Sequence, residues 1–306
     1  MNVLALCQKM AVFFFCILVG FLAAKGGVMD TQSNKKLSAL VVNVTNPLQI
    51  LASALVGGTL MPRAQLLRLC GLIVLMYVVL IGLSRAIPRL LRTDPAHSGV
   101  YRFMFILGNT GFLGYPVVES LLGVEASFYV TLFVLVFQFV CWSYGVSLIR
   151  GEARFRFHWN VLLRPCVVAA LISFVIRLIG LEAPALVYQA FDTIGDLTSP
   201  LVMFILGCSL AQLRFGQIFG NWRIYVLIVL KMLLMPLLAF FALRHVLTDQ
   251  TALCVMTVIL CMPVASNTTL ISCQYGADET VASSGVFVST LVCLVSVPAM
   301  VSLLFG

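Results

Sequence analysis

Charge is the scarcest property of this 306-residue sequence: Asp, Glu, Lys and Arg make up 10% of it, where a soluble domain carries about a quarter. Only 11 residues are acidic, and the three histidines, His97, His158 and His245, fall in or near loops. No GxxxxGKS or GxxxxGKT loop is present to hold nucleotide phosphates, which argues against ATP-driven work by this chain alone. HExxH and CxxC are missing too, so no metal and no cofactor is expected. The ten cysteines lie almost entirely inside apolar runs, as at Cys16, Cys70, Cys141, Cys166, Cys208, Cys254 and Cys293, and read as small buried hydrophobes. Gly195-Asp196 looks like one half of an intramembrane-protease aspartate motif whose other half is lacking. An enzyme is therefore not expected.

What fills the sequence is hydrocarbon. Hydrophobic residues reach 61% and the mean hydropathy is +1.09, which marks a polytopic membrane protein whose first partner is the lipid bilayer. Apolar runs predict ten spans, at about 3–24, 37–58, 66–87, 102–122, 126–149, 161–180, 185–210, 223–244, 251–274 and 281–304, each near the ~20 residues needed to cross. The first has some signal-peptide character but is kept as a helix, because it pairs with span six in the repeat described below. A net charge of +8 would suggest nucleic acid in a soluble protein; here the basic residues sit in short loops and no nucleic acid is expected. The loops after spans one, three, five and seven hold 13 of the 19 Lys and Arg, among them Arg150, Arg154, Arg156, Arg164, Arg214 and Arg223. By the positive-inside bias, both termini of this multi-pass chain face outward from the cytoplasmic (inner) membrane.

Two of the spans are interrupted by residues that break helices. Gly108 to Gly123 reads GNTGFLGYPVVESLLG, and Cys261 to Gly276 reads CMPVASNTTLISCQYG. Gly123 and Gly276 are 153 positions apart, half the chain length, and the same offset lays Val44-Thr45-Asn46-Pro47-Leu48 onto Leu197-Thr198-Ser199-Pro200-Leu201 and Asn43 onto Asp196. The spacing predicts a duplication, 1–153 and 154–306. Five spans per half is odd, so the second half is inserted upside down. The expected fold is all-α: ten transmembrane helices as two inverted five-helix repeats, with helices four and nine broken. A pair of Gly/Pro-interrupted segments in corresponding positions is the sequence pointer to a secondary-transporter site.

Polar residues inside spans are expensive and face a bundle interior or a cavity. They are Asn43, Thr45, Asn46 and Gln49 in span two; Asn109, Thr110 and Glu119 in span four; Asp192, Asp196, Thr198 and Ser199 in span seven; and Ser266, Asn267, Thr268, Thr269, Ser272 and Gln274 in span nine. Asn109, Thr110 and the Ser266-Asn267-Thr268 run offer donors to an anion, beside free amides at half-helix N-termini. The alternative reading of these residues is interhelical hydrogen bonding. Asp196 and Lys231 fall at similar depths, which suggests an ion pair, or Lys231 on the substrate with Asp196 relaying protons; a purely structural pair fits equally. Glu119 reads as snorkelling to the outer interface, and Asp278-Glu279 as the start of span ten.

The residues 108–123, LKMLLMPLL (230–238) and MPVASNTTLISCQYGADE (262–279) resemble the auxin efflux carrier family, the bacterial relatives of plant PIN proteins in the bile acid/auxin/arsenite transporter superfamily. The resemblance implies that helices four and nine cross at their breaks. It also implies a scaffold of helices 1, 2, 6 and 7, a transport domain of helices 3–5 and 8–10, and a homodimer. Asn109 occupies the position that contacts the substrate carboxylate in plant members, and Pro263 that of the crossover proline. Plant members often carry Pro just before that asparagine, where this chain has Gly108; the first break is therefore expected to use Gly108 and Gly111 rather than a proline at that point, with Pro116, seven residues after that asparagine, also counted among the break residues. The substrate class implied is a small organic anion, malate-like, malonate-like or auxin-like, with Asn109, Thr110, Gly111, Pro263, Ser266, Asn267, Thr268 and Lys231 binding it and Asp196, Asn43 and Asn46 serving coupling to H+ or Na+. A sodium-coupled symporter of the bile acid type and a non-transporting membrane sensor are the alternatives.

Overall fold

The computed structural model describes residues 3–55, 62–152, 162–181, 183–212 and 218–305. Arg154, Arg156, His158 and Arg214, and the expected boundary between 153 and 154, lie outside the described residues. Among the described residues the regular elements are all helical, and the sole extended pairing is an isolated antiparallel bridge between Gly108 and Val264. Seven helices there are long and apolar enough to cross a membrane: Cys7–Lys25, Thr31–Leu55, Ala64–Leu90, Val124–Ile149, Ala185–Leu210, Trp222–Leu243 and Glu279–Phe305. Expected span six is the shorter helix Pro165–Ile179. Expected spans four and nine are divided, into Ser98–Ile106 and a helical run from Thr110 to Leu122, and into Gln250–Leu260 and Asn267–Tyr275. Between the first two long helices Asp30 caps Thr31–Leu40: its carboxylate accepts the Ser33 N–H at 2.7 Å, which holds the carboxyl below its ordinary range.

Among the described residues there are four widened π-helical turns; three of them, Val41–Thr45, Thr110–Gly114 and Leu230–Leu234, end two residues before a proline, Pro47, Pro116 and Pro236, while the fourth, Cys141–Gly145, has no proline after it. The coincidence has a steric cause. Proline lacks an N–H and its ring collides with the carbonyl four residues back, and one extra residue in the turn moves that carbonyl aside. The released carbonyls find other donors. Ser199 Oγ donates to the Phe112 carbonyl at 3.2 Å, four residues before Pro116, and Cys166 Sγ donates to that of Val42 at 3.2 Å. This corrects one expectation. Pro116 does not lie at the break but at the second position of helix Tyr115–Leu122, and Gly111 belongs to the widened turn, so the interruption is confined to Leu107, Gly108 and Asn109.

The chain forms two compact units. The first comprises Met1–Leu66, Gly111–Leu135 and Leu162–Leu213; the second comprises Leu67–Thr110, Val136–Val161 and Arg214–Gly306. Inside the first, Val3–Lys25 lies directly against Thr198–Leu210 because small residues face each other. A Cβ on Gly207 would fall 1.9 Å from the Ile17 carbonyl oxygen, and one on Gly20 would fall 2.1 Å from that of Phe204. The approach brings Cys208 Sγ to 3.2 Å from the Gly20 carbonyl. Without a hydrophobic drive between helices in lipid, such close backbone packing supplies much of the association. Also in this unit, Thr198 Oγ1 donates to Thr45 Oγ1 at 2.9 Å, both residues fully buried.

Gly207→Val is expected to lower the melting temperature of the detergent-solubilised protein by several degrees or to prevent folding, since a backbone oxygen must move and overpacking costs about 1–3 kcal/mol or more. Gly82→Val, whose Cβ meets nothing within 4 Å, should melt as the parent does. Thermal scans followed by size-exclusion chromatography compare the two.

Candidate functional site

In the second unit, helix Ser98–Ile106 ends because Leu107 turns extended, with φ −104° and ψ 112°. Leu107, Gly108 and Asn109 then run antiparallel to Pro263, Val264 and Ala265. Asn109 N–H donates to the Pro263 carbonyl at 2.7 Å, and Ala265 N–H donates to that of Leu107 at 3.1 Å. Val264 N–H points the other way and donates to Ser289 Oγ at 3.0 Å. Each interruption thus supplies the partners that the other lacks, which is the condition for irregular backbone at membrane depth. Gly108 is not demanded by contact, because a Cβ there would meet the Met262 carbonyl oxygen at an ordinary 3.5 Å.

The expected donors collect around this pairing. Asn109 is buried, and its Nδ2 donates to Ser266 Oγ at 3.3 Å. Ser266 directly precedes helix Asn267–Tyr275, so the Asn109 amide stands beside a half-helix N-terminus, the electropositive end. Thr268 Oγ1 is turned inward to the Ala265 carbonyl at 2.6 Å, and Thr110 Oγ1 to that of Gly108 at 3.4 Å. Asn267 Nδ2 lies 3.9 Å from Cys141 Sγ. Of the set, Asn109 and Ser266 therefore carry amide and hydroxyl groups engaged with each other, whereas Thr110 and Thr268 spend their hydroxyls on the broken backbone.

Lys231 bonds a backbone carbonyl. It is buried in the widened turn Leu230–Leu234, and its Nζ donates to the Phe105 carbonyl at 3.0 Å. Phe105 is in the last turn of Ser98–Ile106, where carbonyls have no intrahelical donor and the helix dipole favours a cation. A cavity of about 10 Å³, room for roughly one water, is lined there by Tyr77, Phe105, Thr110 and Lys231, and by Ile259 and Leu260 at the end of the other half-helix. The carbonyl ends of two half-helices thus border the space that the ammonium serves. Among the described residues the ion pairs are His97 with Asp278 at 3.3 Å and Arg150 with Glu152 at 3.0 Å. Asp196 falls in the first unit, where it ends helix Ala185–Gly195 and is exposed.

The remaining expected coupling residues are also in the first unit. Asn43 is exposed and bonds its own helix through the Ala39 carbonyl at 2.8 Å. Asn46 is buried, with Nδ2 on Cys166 Sγ at 3.4 Å and Oδ1 without a partner. Ser289 escapes the sequence reading, and Glu119 reads there only as snorkelling to the outer interface. Ser289 holds the second break, yet nothing in its apolar helix distinguishes it from neighbouring serines. Glu119 accepts a hydrogen bond from Ser127 Oγ at 2.6 Å, a partner on the next helix that no spacing within its own helix would reveal.

Ser289→Ala leaves the Val264 N–H without its acceptor. An orphaned buried donor costs about 1–3 kcal/mol, so this variant should unfold at lower temperature or denaturant than the parent, while Ser283→Ala, which loses only a 3.4 Å contact to Thr269, should change little.

The chain is similar to known proteins along nearly its whole length. A family model described as "Membrane transport protein" matches residues 5–157 and 154–301. An uncharacterised transporter of Methanothermobacter thermautotrophicus is 28% identical over 295 residues, 92% of this chain and 93% of that protein. Another, from Methanocaldococcus jannaschii, is 22% identical over 297 residues, 90% of this chain and 91% of that one. With interrupted helices paired through their backbones and a family match over both halves, the chain belongs to the membrane transport proteins of the auxin efflux carrier family.

Proposed function

We propose that this protein is a secondary transporter that moves a small organic anion, a mono- or dicarboxylate, across the cytoplasmic membrane by alternating access. The observation that carries the reading is the Asn109 amide, held by Ser266 beside the N-terminus of helix Asn267–Tyr275 within paired backbone breaks. Amide N–H groups and a helix N-terminus recognise a carboxylate, and half-helix N-termini serve anionic substrates in transporters built this way. Asn109 with Ser266 and Asn267 forms the contact set; Thr110, Gly111, Pro263 and Thr268 shape the backbone around it.

The architecture that goes with this reading is ten spans in two inverted five-helix repeats, 1–153 and 154–306. Both termini face outward, the broken helices four and nine cross, a scaffold and a transport domain move against each other, and the protein forms a homodimer. The Thr45–Thr198 hydrogen bond supports the repeat, because it joins two residues 153 positions apart, the offset found in the sequence.

For coupling, the Lys231 contact favours protons over Na+. Carbonyl ends of broken helices are where transporters of this kind hold a coupling cation. In this chain a tethered ammonium is already bonded at such an end. The sodium-coupled reading would need that position for a mobile ion.

Asn109→Ala is expected to weaken carboxylate binding by about tenfold or more, the loss of one hydrogen bond to a charged group, while the protein remains monodisperse. Binding is measured by thermal shift over a panel of mono- and dicarboxylates; unchanged affinity for a confirmed substrate would remove Asn109 from the site. In proteoliposomes, replacing Na+ by choline should leave uptake unaltered and collapsing the proton gradient should depress it. A strict Na+ requirement would restore the symporter reading.

A further inference from the structure

We propose that Glu119 is a proton-binding site of this protein, with Ser127 as its positioning residue. Glu119 lies on helix Tyr115–Leu122, the second half of the interrupted fourth segment, in a chain whose carboxylates are few. Its Oε1 accepts from Ser127 Oγ at 2.6 Å, a short bond of the kind made to a charged or proton-sharing oxygen. Ser127 is itself fixed from behind. One turn along helix Ser127–Val140, Thr131 Oγ1 reaches back to the Ser127 carbonyl at 3.4 Å, and the same oxygen bonds Tyr115 Oη at 2.8 Å and the Ser53 hydroxyl. Ser53, Tyr115, Ser127 and Thr131 are all buried. This buried cluster engages the backbone of the turn that carries Ser127, whose hydroxyl bonds Glu119.

The charges facing Glu119 come from two neighbouring helices. Lys9 on Val3–Lys25 is attractive, Asp192 on Ala185–Gly195 with Asp196 at its end is repulsive, and Tyr188 on that same helix is a further titratable group interacting with Glu119. Glu125, on the intervening turn, is exposed, and Tyr115 is the titratable group of the same helix. Among the described residues Lys9, the cation named, is not within ion-pair distance of Glu119. Intramembrane carboxylates survive by pairing with a cation or by taking up a proton. Glu119 has a hydroxyl partner that can donate to the carboxylate or accept from the carboxylic acid, so one geometry serves both states. The proton enters as H+ and leaves as H+, with no bond other than O–H made or broken. If the chain is a proton-coupled transporter, as read above, Glu119 rather than the exposed Asp196 is the coupling carboxyl.

Infrared difference spectroscopy on the purified protein, stepped from about pH 8 to about pH 5, reads carboxyl protonation without any transport assay. A protonated-carboxyl stretch should grow in on acidification, disappear in Glu119→Gln, persist in Asp192→Asn and Asp196→Asn, and shift in frequency in Ser127→Ala. Persistence of the full band in Glu119→Gln overturns the assignment. Should that variant not fold, Ser127→Ala decides: an unshifted band overturns it and a shifted one supports it. A Glu119 band together with uptake indifferent to the proton gradient would uphold this site and defeat the proton-coupled reading. A missing band with gradient-driven uptake would do the reverse.

Discussion

An amide or carbonyl left bare in hydrocarbon costs several kcal/mol, and that penalty organises this molecule. Two segments give up helical geometry, at Leu107 to Asn109 and at Pro263 to Ala265, and each is stable only because the other offers its unsatisfied groups. From that pairing the rest follows. Four helix ends are created inside the membrane, two electropositive and two electronegative. The electronegative end at Phe105 is met by the Lys231 ammonium; near the electropositive end at Asn267 stands the Asn109 amide, bonded to Ser266. Charge scarcity and the placement of the few charges present are thus two sides of one constraint.

The same penalty accounts for the turns ahead of three prolines; Pro298, inside helix Glu279–Phe305, has no such turn. In water a helix interrupted by proline loses its missing bond to solvent; in lipid the orphaned carbonyl needs a protein donor. Widened turns ahead of Pro47, Pro116 and Pro236 keep the helices continuous, while Ser199 and Cys166 take up carbonyls at two of them. These turns also re-aim side chains, and Lys231 owes its direction to one. Small residues contribute in another way: at Gly20 and Gly207 two helices approach so closely that backbone meets backbone.

How legible the sequence was depended on the range of the interaction. Breaks in segments four and nine could be read because Gly, Asn and Pro stand out within apolar runs, and membrane class could be read from hydropathy over the whole chain. Pro116 was misplaced because composition marks a proline but not the widened turn that absorbs it. Lys231 was expected to seek a carboxylate or a substrate; its acceptor is a backbone carbonyl 126 residues away, and carbonyls carry no signature in a sequence. Glu119 was assigned to the interface by its distance from a helix end, whereas its surroundings are set by Ser127 on the next helix. Ser289 gave no signal at all, since its role depends on which amide happens to face it.

The order in which these partners are synthesised adds something that the finished contacts conceal. Leu107 and Asn109 leave the ribosome long before Pro263 and Ala265, and Ser289, which holds Val264, belongs to the last helix of the sequence. During biogenesis the first break must therefore wait for about half the chain, its backbone sheltered by water or by the insertion machinery. A nascent chain that stops short of helix Glu279–Phe305 would present that half-finished pairing to the quality-control proteases of the membrane. Without that helix the Val264 N–H has no acceptor.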